Sequence, residues 1–205
     1  MLLESIHGSC VFPRRVRVLA DHLAALIPEN ARVLDVGSGD GRVGRAIGQR
    51  RSDLDIRGID VLPRKDPAIS TEIFDGRTIP FPDASFDALL FIDVLHHTED
   101  PTRLLREAAR ASRTFILIKD HRADGAFASA TLRFMDRAGN ARHGVALPYN
   151  YWRTRTWRET FQALGLDVDV WKPHLGLYPA PASWLFDGEL HFLARLRVGR
   201  EKGKR

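Results

Sequence analysis

The sequence predicts an α/β domain, a doubly wound, Rossmann-like and mostly parallel sheet that ends in an antiparallel C-terminal hairpin strand. Three observations lead there. Short β-branched or apolar runs alternate with stretches of helical periodicity over residues 32–119, and strands separated by helices pair in parallel through right-handed crossovers. The first run stops at Gly37-Ser38-Gly39-Asp40-Gly41 ahead of a helical stretch, which is the order of a nucleotide-binding unit. Two later runs, Leu166, Val168, Val170 and Leu190, Phe192, Ala194, Leu196, alternate with polar residues as antiparallel strands with one covered face do.

The elements follow in order. Pro13 opens a helix in which Val16, Leu19, Ala20, Leu23, Leu26 and Ile27 recur at helical spacing, and Pro28 is expected to end it. Arg32-Val33-Leu34-Asp35-Val36 is the first strand, and the helix after the glycine loop runs to about Arg51. Leu54, Ile56 and Gly58 alternate with charged residues in a second strand ending at Asp60, and Ile73-Phe74 marks a weak third. Residues 86–92 are nearly all apolar, as a strand buried on both faces requires. Asp100-Pro101 then caps a helix carrying Leu104, Leu105, Ala108 and Ala111, and residues 114–118 form the fifth strand. A helix over about residues 125–138 is expected to bury Phe127, Thr131, Phe134 and Ala138, with Gly139 as its terminator. Thr156-Trp157-Arg158-Glu159 fits a capping box, and Gly165 stops the helix it begins. The connection over residues 172–188 is long for a hairpin and suited to covering a pocket.

At 205 residues the chain fits one domain, with an N-terminal helix over residues 1–31, a nucleotide-binding core over 32–119 and an acceptor-side region over 120–205. A hydrophobic content of 44% with 28% charged residues excludes a disordered or fibrous chain. No apolar run approaches the roughly 18 residues of a membrane span, and residues 1–11 lack a leader pattern, so a soluble cytoplasmic protein is expected. The single cysteine, Cys10, excludes an internal disulfide framework and a cysteine-cluster zinc site. The net charge of +5 is spread along the chain, with dense runs only at residues 14–17 and 200–205. That distribution argues for a solvated surface rather than a nucleic-acid partner. Oligomeric state is not legible.

In an open α/β sheet, ligands bind beyond the carboxyl ends of the strands, so the glycine loop and the acids near it carry the functional argument. Gly37, Gly39 and Gly41 allow a ligand to approach the backbone closely. Gly39-x-Gly41-x-x-Gly44 also satisfies the dinucleotide pattern, which keeps an NAD-dependent oxidoreductase as a rival. Asp35 separates the two, because a carboxylate at the mouth of the loop repels a pyrophosphate and attracts the ammonium and sulfonium of S-adenosyl-L-methionine. Asp60 is placed to accept both ribose hydroxyls, Val61 to support the adenine ring, and Asp75, followed by Gly76, to accept from the adenine amine. Asp93 ends the fourth strand and joins this cofactor set.

These motifs resemble those of the class I S-adenosylmethionine-dependent methyltransferases, particularly the small-molecule group that includes ubiquinone-pathway enzymes. Residues 33–41 look like that family's first motif, Asp60 its ribose-binding acid, and Phe74-Asp75-Gly76 its adenine-contacting segment. Ile79-Pro80-Phe81-Pro82-Asp83-Ala84-Ser85-Phe86-Asp87 resembles the family's approach to the fourth strand, and Asp93-Val94-Leu95-His96-His97 its end. The likeness covers about residues 32–119. It departs where Arg110-Ala111-Ser112-Arg113 replaces the usual lysine-proline-glycine-glycine turn before the fifth strand.

The resemblance implies methyl transfer by in-line displacement, in which the protein chiefly aligns donor and acceptor. A hydroxyl or protonated amine acceptor then needs a base, and His97 and His121 lie just past the fourth and fifth strands. No helical His-x-x-x-His or paired acid spacing accompanies them, so no metal site is expected. Tyr149, Tyr151 and Trp152 stand in an aromatic segment suited to a small-molecule acceptor pocket, or to fastening the loop to the body. With Trp157, Arg153 and Arg155 they also suit RNA, which keeps an RNA methyltransferase as an alternative. A noncatalytic nucleotide-binding module is the remaining one.

Overall fold

The computed structural model describes residues 12–140, 149–180 and 182–199. Their elements run α1 (Phe12–Ala24), β1 (Arg32–Val36), α2 (Arg42–Arg50), β2 (Asp55–Asp60), β3 (Thr71–Ile73), β4 (Phe86–Ile92), a 3-10 turn (Leu95–His97), α3 (Pro101–Ala111), β5 (Ser112–His121), α4 (Ala128–Asn140), α5 (Thr154–Ala163), β6 (Leu166–Lys172), α6 (Ala182–Phe186) and β7 (His191–Val198). The strands form one seven-stranded sheet in the order β3-β2-β1-β4-β5-β7-β6. The first five are parallel, and β7 runs antiparallel between β5 and β6. This is the Rossmann-like, mostly parallel fold the sequence predicts.

The alternation of side chains across the sheet divides the interior into two layers. Leu34, Val36, Leu89, Phe91, Ile116 and Ile118 face α3 and α5, whose Leu104, Leu105, Trp157 and Phe161 complete that layer. Val33, Ala88, Leu90 and Leu117 face the other way, onto Leu19, Ala20 and Leu23 of α1 and Ile47 of α2. β4 contributes to both layers, which explains why its sequence is apolar apart from Asp87. Because β1 pairs with β2 on one side and β4 on the other, the chain reverses its winding at β1. A crevice opens there at the carboxyl end of the strands. No helix among the described residues is long and apolar enough to cross a membrane.

Several local expectations change. α1 ends at Ala24, and Leu26 and Ile27 belong to a following turn whose amides both return to the Leu23 carbonyl. α5 starts at Thr154 rather than behind a Thr156 cap: the Thr154 amide donates to Asp124 at 2.8 Å, and Glu159 pairs with Arg155 at 2.7 Å. Trp157, read as part of the cap, is buried in the core. α4 turns its other face inward, since Phe127 and Phe134 are 81% and 67% exposed while Leu132 and Asp136 are buried. Gly139 lies within α4 and does not terminate it. Residues 141–148, part of the expected acceptor loop, lie outside the described residues.

Candidate active site

The cofactor half of the site is built at the ends of β1, β2 and β3. Gly37, Gly39 and Gly41 all have positive φ, at 72°, 57° and 74°. The Gly37 and Ser38 amides donate to the Ile59 carbonyl at 2.7 and 3.1 Å, so the loop is tied across to β2. Asp60 completes it, with Oδ2 accepting from the Gly39 amide at 2.7 Å and Oδ1 from the Leu62 amide at 2.8 Å. A side chain at Gly37 would strike Val94 at 2.6 Å, whereas one at Gly39 would meet nothing within 4 Å. The loop therefore packs inward at its first glycine and opens outward at its second.

Asp35 lies behind this loop, 2% exposed, with its Oδ1 lacking a hydrogen-bond partner. Burial, and then the charge of Asp60, raise its pKa to about 7. Val61 leaves 51% of its surface exposed. Gly76 packs so closely beside it that a methyl group there would come within 2.9 Å of Val61 Cγ1. Asp75 accepts from the Arg77 and Thr78 amides, each at 2.7 Å, and those bonds hold its carboxyl below the usual range. The donor set fits S-adenosylmethionine: an orphaned carboxylate oxygen, an open glycine cradle, an exposed apolar shelf and no basic side chain within Gly37-Ser38-Gly39-Asp40-Gly41 to meet a phosphate.

Asp93 stands elsewhere. At φ 58° its carboxylate receives the Lys119 ammonium, the Arg15 guanidinium at 2.9 Å and His121 Nε2 at 3.5 Å, so it is engaged by this cluster rather than by the glycine loop. Burial works against its charge, but Lys119 and then Arg15 hold its pKa well below normal. Burial lowers the Lys119 pKa in turn, despite that partner.

Around Asp93 the ends of β4, β5 and β7 meet α4 and the segment at residues 149–152. His96 Nδ1 pairs with Asp120 Oδ1 at 2.6 Å, and the Leu95 amide donates to Asp120 Oδ2 at 3.0 Å. His96 Nε2 faces Asp136 Oδ2 at 3.4 Å, and the Tyr151 hydroxyl donates to the same oxygen. Burial opposes charge on His96, yet the two carboxylates prevail and raise its pKa to about 10. The His97 ring lies 3.9 Å from that of His96, its Nδ1 lacks a partner, and burial and then His96 lower its pKa. His121 is buried, and its pKa is driven to about 3 by burial, then His96 and Lys119. Its neighbour across the β5/β7 ladder is His191, ring to ring at 4.8 Å, with neither nitrogen of His191 partnered.

Of the two expected bases, His97 is the more accessible and His121 sits inside the cluster. Tyr149 and Tyr151 lie on its rim with rings 6.1 Å apart, and Tyr149 stacks beneath Arg133 at 5.4 Å. Trp152 packs on Trp157 at 4.7 Å and fastens the segment to the core. Sequence reading missed His96 as a participant, along with Asp136, His191 and Arg15. The inward position of Asp136, one turn beyond Leu132, was the available signal.

A profile of the Methyltransferase domain family matches residues 12–169. The 27-O-demethylrifamycin SV methyltransferase of Amycolatopsis mediterranei is 31% identical over 110 residues, covering 46% of this chain and 40% of that one. Ajmaline N-methyltransferase of Rauvolfia serpentina is 28% identical over 150 residues, covering 58% and 51%. The chain thus spans about half the length of these curated relatives, or less. A methyltransferase solved with the Haloferax volcanii Trm112 activator shares the fold at a TM-score of 0.69 and 18% identity, covering 96% of this chain and 93% of that one. With the motif-bearing crevice and this match over most of its length, the chain belongs to the Methyltransferase domain family.

Proposed function

We propose that the enzyme methylates a hydroxyl or amine of a small-molecule acceptor, with S-adenosylmethionine held by Asp35, Gly37, Gly39, Gly41, Asp60, Val61, Asp75 and Gly76. The observation that carries the acceptor class is the enclosure of the histidine cluster beneath Tyr149 and Tyr151. Three of its histidines, His96, His121 and His191, are buried, and enclosure of this kind suits a small ligand better than an RNA strand, which needs an open basic groove. S-adenosylmethionine supplies a methyl group already activated on sulfur, so no covalent enzyme intermediate is required. Asp60 would accept the ribose hydroxyls, Asp75 the adenine amine, and Val61 would carry the ring. Asp35 would oppose the positive charge of the amino-acid tail. His97 takes the acceptor proton, because its ring is only partly buried, whereas His121 is held inside the cluster by its neighbours.

The reading is tested by incubating the enzyme with methyl-labelled cofactor and fractionated metabolite extracts. Label in a low-molecular-weight product supports it, and label confined to RNA overturns it. His97→Ala should lower kcat by about a hundredfold or more without changing cofactor affinity. Full turnover in that variant removes His97 as the base.

A further inference from the structure

The cluster beside His97 contains a convergence that methyl transfer does not call for. His96, His121 and Asp136 are all buried, and one donor atom from each lies within 4.8 Å of the others. His96 Nε2 is 3.4 Å from Asp136 Oδ2, and His121 Nε2 is 3.9 Å from Asp136 Oδ1. Ligands about 2.0–2.1 Å from a tetrahedral metal are about 3.3–3.4 Å from one another. The spacing of His96 from Oδ2 already matches, while His121 faces the other oxygen, Oδ1, from about half an ångström further out.

The state of His96 points the same way. Its ring is 1% exposed, and Nδ1 is fixed on Asp120 at 2.6 Å while Nε2 has no hydrogen-bond partner. A carboxylate holding one imidazole nitrogen so that the other faces a metal is the usual outer-shell arrangement of histidine ligands. Charge agrees too. Asp93, Asp120 and Asp136 face this cluster with three carboxylates, of which Asp93 is paired with Lys119 and Arg15, so a metal cation would take the place of the proton that Asp120 and Asp136 otherwise favour on His96. Two imidazoles and one carboxylate suit zinc and its transition-metal neighbours rather than magnesium or calcium, which prefer oxygen ligands.

We propose that His96 Nε2, His121 Nε2 and a carboxylate oxygen of Asp136 form a binding site for one divalent transition-metal cation of the zinc class, with Asp120 orienting His96. Three protein ligands leave a coordination position for a further oxygen or nitrogen donor, the pattern of catalytic rather than structural zinc sites. The Tyr151 hydroxyl steadies the Asp136 carboxylate. The site does not depend on the acceptor assigned above, since its test reads metal binding and not methyl transfer.

The test is calorimetric titration of the chelator-treated full chain with zinc chloride. Binding should saturate at a single equivalent. Asp136→Asn and His121→Gln should each weaken it by about tenfold or more, as should Asp120→Asn, while the exposed His174→Ala leaves it unchanged. Cobalt(II) added to the unaltered chain provides a readout independent of how the variants fold, since a nitrogen and oxygen tetrahedral site gives visible d–d absorption that zinc then abolishes. Absence of that absorption, or equal zinc affinity in folded Asp136→Asn and His121→Gln, overturns the proposal and leaves His96 carrying a proton between Asp120 and Asp136.

Discussion

Lowering the pH from neutrality should release S-adenosylmethionine from this enzyme well before the fold is lost, and Asp35 is the reason. Burial and the Asp60 charge hold its carboxyl at about 7 instead of 3.8, a difference equivalent to about 4 kcal/mol against the ionised form. If the cationic tail of the cofactor binds only the ionised form, the competent fraction rises from about one in a hundred at about pH 5 to about half at about pH 7. The dissociation constant then falls about fiftyfold across that interval. Stability moves in the opposite sense. The folded value lies above the unfolded one, so the free protein retains a proton that the unfolded chain has already released. Stability is therefore lost as pH rises from about 4 to about 7, and the loss levels off above that. Asp35→Asn removes the burden: the free variant gains up to about 4 kcal/mol on the wild type near pH 8, while its cofactor binding becomes weak and insensitive to pH. Equilibrium dialysis over the pH series, paired with urea melts, measures both effects, and 5′-methylthioadenosine, which lacks the tail, should bind without the slope. A flat profile in the wild type, or the same slope in Asp35→Asn, would refute the reasoning.

Other outcomes follow from neighbouring residues. Asp60→Asn should raise the cofactor dissociation constant by about tenfold or more, because Asp60 also fastens the Gly39 amide; an unchanged value in a fluorescence titration removes its assignment. Gly37→Ala should cost about 2–4 kcal/mol, since its methyl would meet Val94 at 2.6 Å in a left-handed backbone. Gly39→Ala, with nothing within 4 Å, should cost only about 1–2 kcal/mol yet block cofactor binding, and equal destabilisation of the two in urea melts contradicts this. Trp157→Ala should cost about 3–5 kcal/mol. Trp157→Phe, which loses mainly the 3.0 Å bond to the His121 carbonyl, should cost about 1–2 kcal/mol, and similar losses for both would mean that the indole's bulk is not what the core needs.

What could be read from the sequence was whatever is written locally. β1 and β4 fall on their expected residues, because a glycine loop bounds one and a nearly all-apolar run defines the other. The positions of the acids expected to meet the cofactor were legible for the same reason, since Asp35 lies near the end of β1, Asp60 ends β2 and Asp75 follows β3. Asp93 shows the limit of that logic, since its position was readable but not that Lys119 and Arg15 converge on it. The inner cluster was illegible because His96, Asp120, Asp136 and His191 come from four different segments. α4 was read inside out, its aromatic residues taken for core when a carboxylate occupies the inward face. The departure at Arg110 also has a local function. Its guanidinium binds the Ile79 and Phe81 carbonyls, each at 2.9 Å, and clamps the chain's approach to β4.

The insertion of β7 between β5 and β6 carries a consequence for synthesis. Every other strand leaves the ribosome first, so the half of the sheet formed by β3, β2, β1 and β4 can assemble while the rest is still being made. β5 and β6 must wait, each with an unpaired edge, until the strand beginning at His191 is threaded between them. The crevice at the ends of β1 and β2 can thus take shape in the nascent chain before the buried histidine cluster that His191 completes, and a ribosome stalled short of His191 would hold the first without the second.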